Sequence, residues 1–448
     1  MVRSRLFRLV AIIFAISLIA AACGDDDDTS ASGDDGAASD DGSSDDGSSD
    51  DGGELTTPSN EDEGVTDDVI KVGWMGDLTG PTASSQSFNS HGSEAYFACL
   101  NERGGLFGRQ IEYLPEDDQF GAEAASVNWT KLTEDDKILT LVGMGNSAIT
   151  TQLGPDVERL GIPVIGPPQT IDAQLDGTHF FNNIAHYGDY ADMAVAQIAG
   201  DLGGIENAVV MGFSLEVPSG QEYAAYVEDS VTAAGGTYAG TLFLAPGQTE
   251  ATAQMVELEQ AIENEGVNYL TVHGSPGTNL VAVQAMADAG ITDIFLTGIH
   301  TMSSNSVWIE GPAEVMDDQA TGFHTFITAN NDIEASAEMT RCAELVGYSG
   351  DELVNNFAHG FLNAYIFEQA AIRAVEATGE LTRATLTDAL RAAPFDTMGI
   401  SCPVDWTTSQ HSPCGAAFVL DPATGGMVPV EPFEFYAPQV DGVYGIDF

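Results

Sequence analysis

Lysine is scarce in this sequence of 448 residues, which contains only Lys71, Lys131 and Lys137. Lys and Arg together number 13 against 69 Asp and Glu, which gives a formal net charge of −56. Nucleic-acid binding needs clustered cations on the protein surface, so this balance excludes DNA or RNA as an expected partner. The self-repulsion of so many carboxylates fits a protein in an exterior, salty medium, where dissolved ions screen charge.

Cysteine is also scarce, and the C-x-x-C spacing of many zinc sites is absent. The five cysteines are Cys23, Cys99, Cys342, Cys402 and Cys414. In an exported chain, four cysteines in the body are expected to form disulfides. Cys402 and Cys414 flank a short segment, so we pair them, which leaves Cys99 with Cys342. A metal site that uses His411 is the alternative, disfavoured by the missing spacing.

The local motifs of common enzymes are missing as well. The sequence contains no H-E-x-x-H pair, no Walker loop and no dinucleotide fingerprint. The stretch HGSPG at 273–277 is superficially similar to a serine hydrolase elbow, but His273 stands where that turn needs glycine. We therefore expect no enzyme activity, no cofactor and no metal.

The first 23 residues have the layout of a secretory signal. Three arginines precede an apolar run from Leu9 to Ala22, and small residues lead to Cys23. A membrane anchor helix is the alternative, but the run is short for a bilayer span. The sequence AAAC before Gly24 resembles a bacterial lipobox, although Ala20 stands where that pattern usually has Leu. The resemblance implies lipidation of Cys23.

Residues 24–68 form a separate acidic segment. The stretch GDDDDTSASGDDGAASDDGSSDDGSSDDGG contains no Lys or Arg and almost nothing apolar. Such a composition cannot bury enough surface to offset chain entropy, so we expect a disordered tether. A calcium site is the alternative, but no EF-hand spacing with a closing Glu is present.

Residues 69–448 alternate short apolar strands with amphipathic helices, which predicts parallel α/β sheets. Predicted strands include VIKVGWM, RQIEYLPEDD, ILTLVGMG, IPVIGPP, NAVVMGFS, YAGTLFLAP, NYLTVHGS and DIFLTGIH. The break between two halves is expected near FFNNIAHYGDYADM, and NNFAHGFLNAYIFEQAAIRAVEATG predicts a long late helix. The chain then changes to hairpin-like strands in ISCPVDW, GAAFVLDPATGGMVPV and FEFYAPQV.

Six predicted strands are each followed by a loop of glycine and small polar residues. They are GWMGDLTGPTASS, GMGNSAITT, GPPQTID, GFSLEVPSG, HGSPGTN and TGIHTMSSN. In parallel α/β sheets, ligands bind on loops beyond the carboxyl ends of the strands. Backbone N–H groups and the hydroxyls of Ser147, Thr150 and Thr170 could hold a carboxylate or amide without a buried cation. Ordinary turns and helix caps are the alternative for any single loop.

Several of these stretches resemble the solute-binding proteins of ABC transporters. The similar parts are DLTGP, N-x-x-GG-x-x-G-R, EDDQ, and the pair VG…S…T and IPVIGP…T. The resemblance is to the type I branched-chain amino acid and amide group and spans roughly residues 70–440. It implies an α/β, two-lobed periplasmic-binding fold in which each lobe is a mainly parallel sheet flanked by helices, with three interlobe crossovers.

The resemblance also implies ligand-binding residues from both lobes. From the first lobe these are Asn146, Ser147, Ala148, Pro168, Gln169 and Thr170. From the second lobe they are Ser219, Gly274, Ser275 and His300, with Ser219 where Tyr is common and His300 near the acid that meets an ammonium group. Further possible contacts are Trp74, Asp77, Tyr187 and Glu216. Trp74 could equally pack in the core, a structural role is favoured for His300, and Phe88 and Phe120 are expected to pack.

The resemblance implies a division into a leader, a linker and two lobes. The ranges are 1–23 for the signal, 24–68 for the linker, 69–185 with 321–398 for the first lobe, and 186–320 with 399–448 for the second. The expected protein is a monomeric, extracytoplasmic, lipid-anchored receptor that delivers a small amino-acid-like solute to an ABC permease. A sensory protein that presents its ligand to a membrane receptor is the alternative.

Overall fold

A computed structural model describes residues 55–302, 312, 315, 320–324, 333–421 and 426–429. Contacts divide the chain into Met1–Gly53 and Glu54–Phe448, and every described residue lies in the second unit. The signal sequence, Cys23 and the linker up to residue 54 therefore lie outside the described residues. None of the helices in the described part of the chain has the length and hydropathy of a membrane span.

The first sheet contains five parallel strands in the order β2-β1-β3-β4-β5. Its elements are β1 (Val69–Gly76), α1 (Ala83–Glu102), β2 (Gln110–Asp117), α2 (Ala122–Thr130), β3 (Thr140–Met144), α3 (Ser147–Leu160), β4 (Val164–Ile165), α4 (Asp172–Leu175) and β5 (Phe180–Phe181). A short π-helical turn, Lys131–Asp135, continues α2. The parallel sheet predicted for this half is confirmed.

The second sheet contains four parallel strands in the order β7-β6-β8-β9. Its elements are α5 (Tyr187–Leu202), β6 (Val209–Leu215), α6 (Pro218–Ala234), β7 (Thr237–Leu244), α7 (Thr252–Glu265), β8 (Tyr269–His273), α8 (Pro276–Ala289) and β9 (Phe295–Gly298). Helices α5 to α8 end at glycines in the left-handed conformation, which relieves the last turn without a Cβ clash.

The later part of the chain returns to the first sheet and then leaves it again. Strand β10 (Thr321–His324) follows a parallel bridge between Leu296 and Ala320, and pairs antiparallel with β11 (Ala416–Asp421), which pairs with β12 (Gly426–Pro429). Between them lie α9 (Ser336–Val346), α10 (Asn355–Thr378) and α11 (Arg383–Ala392), which share one core with α1. The chain therefore crosses between the two halves three times, as predicted.

Two details of strand pairing and packing move the proposed lobe boundaries. The bridge at Ala320 places β10 beside the second sheet, whereas the first lobe was expected to resume at residue 321. Ile400, Val404 and Trp406 are buried in the core that α1 and α10 share, whereas residues from 399 onward were expected in the second lobe. We therefore propose that the first lobe takes up the chain again after β10 and keeps it to about Cys414.

The stretches predicted as C-terminal hairpins have different outcomes. GAAFVLDPATGGMVPV does contain the hairpin of β11 and β12. ISCPVDW is wrong as a strand: it makes one bridge, from Val404 to Phe395, because its side chains turn into the first core instead of joining a sheet. FEFYAPQV lies outside the described residues.

The predicted tether ends earlier than residue 68. Val65 is fully buried, and Thr57 is 7% exposed. The buried guanidinium of Arg109 donates to the carbonyl of Thr57 at 2.9 Å, and to that of Thr66. Residues 57–66 are therefore held against the body by hydrogen bonds from Arg109 to their backbone. The expectation of disorder is wrong for this stretch.

Two disulfides join the pairs that the sequence favoured. Cys99 of α1 is bonded to Cys342 of α9, with Cα atoms 5.4 Å apart, and Cys402 is bonded to Cys414, with Cα atoms 6.7 Å apart. The first fastens the returning helices to the first helix of the body across 243 residues of sequence.

Candidate functional site

A cavity of about 70 Å³ lies where the carboxyl ends of the two parallel sheets face each other. All six glycine-rich loops predicted to matter contribute to its wall. The lining residues are Thr82, Ser85, Gln86, Phe120, Asn146, Ser147, Pro168, Gln169, Tyr187, Leu215, Val217, Ser219, His273, Gly274, Ser275, Ile299, His300, Thr301 and Asn356. The position agrees with the general rule for ligands of open parallel sheets.

The residues that directly precede four helices line this cavity, two from each half. Helix α1 follows Thr82 and α3 follows Asn146, while α6 follows Val217 and α8 follows Ser275; all four preceding residues line the cavity. The first turn of a helix carries N–H groups without intrahelical partners and a partial positive charge. The wall is therefore electropositive without using a charged side chain.

The caps of these four helices differ. Asn146 accepts a hydrogen bond from the N–H of Ala148 at 3.1 Å, and Ser275 accepts one from Thr278 at 3.3 Å. Neither Thr82 nor Val217 caps its helix with a side chain. In α1 the N–H groups of Ala83 and Ser85 donate to backbone carbonyls instead, and in α6 Pro218 has no N–H while that of Ser219 donates to Ser147.

A serine pair joins the two halves across the cavity. The Ser147 hydroxyl lies 3.1 Å from the Ser219 hydroxyl, and the Ser219 N–H donates to the Ser147 oxygen at 3.2 Å. Both side chains are buried, at 4% and 6% exposure. Ser147 begins α3 and Ser219 lies in the first turn of α6. The contact therefore joins the N-termini of two helices from different halves.

On the side of the first sheet, amide side chains fix the wall. Gln169 donates to the Met144 carbonyl at 2.9 Å and to the Thr150 hydroxyl at 2.8 Å. Gln86 donates to the Thr82 hydroxyl at 2.9 Å and accepts from the N–H of Asp77 at 2.8 Å. The Gln86 amide both donates and accepts a hydrogen bond, and the Gln169 amide donates two. These bonds give the wall a defined shape in the absence of a solute.

On the side of the second sheet, two histidines border the cavity. Burial lowers the pKa of His273 to about 3, so its ring is neutral, and the ring stacks on Tyr223 with centroids 5.7 Å apart. His300 lies with Nδ1 3.2 Å from the Tyr190 hydroxyl, and its carbonyl accepts from Asn355 at 3.1 Å. His300 therefore has structural partners in addition to its place in the wall.

Most of the predicted contacts line the cavity, and five do not. The residues in the wall are Asn146, Ser147, Pro168, Gln169, Ser219, Gly274, Ser275 and His300, with Tyr187 from the possible set. Ala148 is exposed, and the Thr170 hydroxyl donates to the Ile184 carbonyl at 3.4 Å. Ala148 falls outside because its side chain points to solvent, and Thr170 because its hydroxyl is bonded within the first half.

The other three absent residues each have a structural place. The Trp74 indole is fully buried and donates to Asn89 at 2.9 Å, so it packs in the core. Asp77 accepts from both the N–H and the hydroxyl of Thr82, at 2.7 and 2.8 Å, which shapes the turn before α1. Glu216 is exposed.

Sequence reasoning missed several polar residues of the wall. They are Thr82, Ser85, Gln86, His273, Thr301 and Asn356. Thr82, Ser85, His273 and Thr301 lie in or beside the six loops, so the loop rule could have included them. Asn356 comes from the start of α10, after two crossovers, and only the observation that helix starts approach the cavity would have pointed to it. Phe120, expected to pack, also contributes to the wall.

Two groups of possible metal ligands occur among the described residues. Cys99, Glu338 and Cys342 form the first, but both thiols are joined in a disulfide. The second is Asp172, His186 and Glu222. In that group the N–H of Gly188 donates to Nδ1 of His186 at 3.1 Å, so a neutral ring carries its proton on Nε2, the atom that would face a metal. The thiols of the first group are therefore not available as ligands, and the ring of the second would have to change tautomer before Nε2 could bind a metal.

Two neighbouring aspartates beside the cavity should respond to substitution in opposite directions. Burial raises the pKa of Asp118 to about 7, and its Oδ2 has no partner among the described residues. Burial also acts on Asp117, but hydrogen bonds from Thr79, Leu78 and Gln119 outweigh it and lower that pKa. Stability linked to Asp118 is therefore lost as pH rises from about 4 to about 7, whereas stability linked to Asp117 is lost as pH falls.

We expect Asp118→Asn to stabilise the protein at pH 8 by about 1–3 kcal/mol and to change little at pH 4, because the amide removes an unpaired buried charge. Asp117→Asn is the matched comparison and should destabilise at pH 8. Urea unfolding at the two pH values measures both effects. A loss of stability in Asp118→Asn at pH 8 would contradict this account of the pair.

Comparisons with known proteins agree with this architecture. The model of a family described as periplasmic binding protein matches residues 69–426. No curated protein matches the chain by sequence. Among solved structures, a fatty acid ABC transporter substrate-binding protein from Thermomonospora curvata is 20% identical with a TM-score of 0.73, covering 84% of this chain and 95% of that one.

Two further solved structures share the fold. A branched chain amino acid ABC transporter protein from Thermus thermophilus with bound valine is 18% identical, with a TM-score of 0.73 and coverage of 83% of this chain and 97% of that one. A solute binding protein of an R. palustris ABC transporter in complex with benzoate is 19% identical, with a TM-score of 0.67 and coverage of 84% and 99%.

Proposed function

Because the chain belongs to the periplasmic binding protein family, we propose that it captures a small organic solute in the cavity between its two sheets and delivers it to an ABC permease. The observation that carries this proposal is the convergence of four helix starts and six strand-end loops on one cavity. Such a site binds and orients a polar solute. We propose a binding role without catalysis.

The Ser147–Ser219 contact supports a mechanism of closure. It joins the two halves at 3.1 Å in the wall of the cavity, so we propose that these serines separate when a solute enters. A solute that contacts both walls favours the closed arrangement by its differential affinity for that state. The closed form then presents both halves to the permease in a fixed arrangement.

Both the sequence resemblance and the solved neighbours bear on the class of solute. The sequence resemblance implies an amino-acid-like solute: a branched-chain amino acid, another amino acid, an amide or urea. The solved neighbours are named for a fatty acid, or hold valine or benzoate. What these have in common is one polar end and an apolar remainder. The wall offers both, since Leu215, Val217 and Ile299 line the cavity together with the serines.

The proposed receptor acts outside the cytoplasm, where its family works. We propose that Cys23 carries a lipid and that the acidic residues after it act as a tether, because the sequence before Cys23 resembles a lipobox. A monomer is expected.

Two measurements test the function together. Thermal unfolding of the chain against amino acids, amides, urea and small carboxylates should show one class that raises the midpoint, since a ligand at 100 times its Kd adds about 2.7 kcal/mol. Cells that lack the chain should lose uptake of that same solute. If uptake persists while a signalling response to the solute disappears, the receptor is sensory and delivery to a permease is excluded.

A further inference from the structure

We propose that the solute is a short-chain carboxylate without an ammonium group, held with its carboxylate against the starts of α3 and α6 and with its chain toward Leu215 and Ile299. This inference rests on the proposed function and specifies the solute of the same cavity. It departs from the amino-acid-like solute that the sequence resemblance implies.

The first observation is the sign of the potential in the cavity. The positive ends of α1, α3, α6 and α8 all meet its wall. Each such end favours a negative group and disfavours a positive one, and the effect is strongest when water is excluded. An ammonium ion in this cavity would face four positive helix ends.

The second observation is an amide donor with no partner. Asn356 is 2% exposed, lines the cavity, and its Nδ2 has no hydrogen-bond partner among the described residues. A buried polar group in that condition is costly unless a ligand satisfies it. The hydroxyls of Ser147 and Ser219 line the same cavity and become donors to a solute when their mutual hydrogen bond opens. These groups suit a carboxylate, which accepts several hydrogen bonds and donates none.

The third observation concerns the groups that an ammonium ion would need. Among the described residues that line the cavity, none is Asp, Glu, Lys or Arg. Asp77 and Asp118 lie outside the lining, where Asp77 is bonded to Thr82 and Asp118 accepts from the N–H of Phe120. The Glu222 carboxylate accepts from the N–H of Asp172 at 3.2 Å. Burying an ammonium ion without a carboxylate leaves an unpaired charge, which costs several kcal/mol.

The volume of the cavity favours a small solute. A water-sized atom occupies about 10–15 Å³ on this measure, so 70 Å³ holds about five to seven non-hydrogen atoms. Propionate, butyrate and isobutyrate fit this range. Branched-chain amino acids are larger as well as charged at the wrong end.

The experiment compares solutes that differ by one group, using calorimetric titration of the full chain. Propionate, alanine and propionamide share a skeleton and differ in the ammonium group or the negative charge, and butyrate with 2-aminobutyrate repeats the first comparison. We expect each acid to bind at least about 30-fold more tightly than its amino acid, and propionate at least about 10-fold more tightly than propionamide.

Ser275 offers a matched pair of variants for the same question. Asp and Asn both cap helices, so Ser275→Asp and Ser275→Asn each keep the start of α8 and differ by a charge. We expect the Asp variant to bind propionate at least about 30-fold more weakly than the Asn variant, since the added carboxylate lines the same cavity and opposes the positive end of α8. Circular dichroism melts check that both variants fold.

The outcomes separate this inference from the proposed function. Tighter binding of alanine or propionamide than of propionate overturns the carboxylate assignment but keeps the solute-binding receptor. Equal binding of propionate by the two Ser275 variants also overturns it. If none of these solutes binds, the carboxylate assignment is wrong, and the wider panel and uptake measurement decide the receptor function on their own.

Discussion

Gly360→Leu is expected to destabilise the body by more than about 4 kcal/mol, at the extreme of what single substitutions do. Gly360 of α10 meets α1 so closely that a Cβ there would overlap the Asn89 carbonyl oxygen, and a Cβ on Gly92 would overlap that of Phe357. The two helices pack backbone to backbone. A larger side chain must therefore move a helix, since no neighbouring side chain can give way.

The same crossing positions the cavity. The Ser93 hydroxyl of α1 donates to the Gly360 carbonyl at 2.8 Å, which fixes the two helices in register. One turn before Gly360, α10 supplies Asn356, and one turn or more before Gly92, α1 supplies Gln86 and Ser85. Separating the helices would therefore also disturb solute binding at the wall that they share.

Urea unfolding measures the effect, and Ala377→Leu is its control. Ala377 lies on the same helix and is exposed, so the added side chain should change stability by no more than about 0.5 kcal/mol. A Gly360→Leu protein as stable as the control would show that the two helices do not pack at this distance.

Ser147→Ala should weaken solute binding by about 1.5–3 kcal/mol, or roughly 10- to 150-fold in Kd. The Ser147 hydroxyl is one of the wall's donors and also accepts the Ser219 N–H at 3.2 Å. Without this hydroxyl, a charged or strongly polar group of the solute loses a hydrogen-bond donor. The buried Ser219 N–H also loses its acceptor. Both losses act in the closed form, so affinity falls more than stability.

Calorimetric titration measures this effect, with Thr151→Ala as the control. Thr151 is a hydroxyl residue one turn along the same helix, exposed, and bonded to the Ser147 carbonyl at 2.8 Å. Its loss should leave the Kd within about twofold, as expected for a surface substitution. If Ser147→Ala binds the solute as tightly as this control, the opening of α3 does not hold the solute.

The strands and the order of elements were predictable because apolar runs and the glycines that bound them can be read directly in the sequence. Runs such as NYLTVHGS are apolar and bounded by glycine, and they became β8 within one or two residues. The three crossings were predictable only through the family resemblance, since no local pattern reports which sheet a returning helix joins. The placement of β10 and of residues 400–414 shows that limit, because their partners lie far away in sequence.

The helix starts were the least predictable elements, and they form the site. Helix α1 begins at Ala83, and its first turns consist of small polar residues, which resemble a loop in the sequence. Those residues are buried against the cavity and against α10, so tertiary packing outweighs their weak helix propensity. The small polar residues that make this helix hard to predict include Ser85 and Gln86, which line the cavity.

The most direct test of a solute enclosed between the two halves uses a lock on the serine pair. The hydroxyls of Ser147 and Ser219 are 3.1 Å apart, so Ser147→Cys combined with Ser219→Cys should form a disulfide in the closed state. The best-binding solute of the panel, in labelled form, is added before oxidation in one sample and after oxidation in another. The two single variants, treated identically, serve as controls.

Enclosure predicts that the sample loaded before oxidation retains its label through buffer exchange, that the sample oxidised first takes up none, and that both single variants exchange freely. Free exchange in the oxidised double variant would contradict the account, because the solute would then bind outside the cavity that the two sheets close.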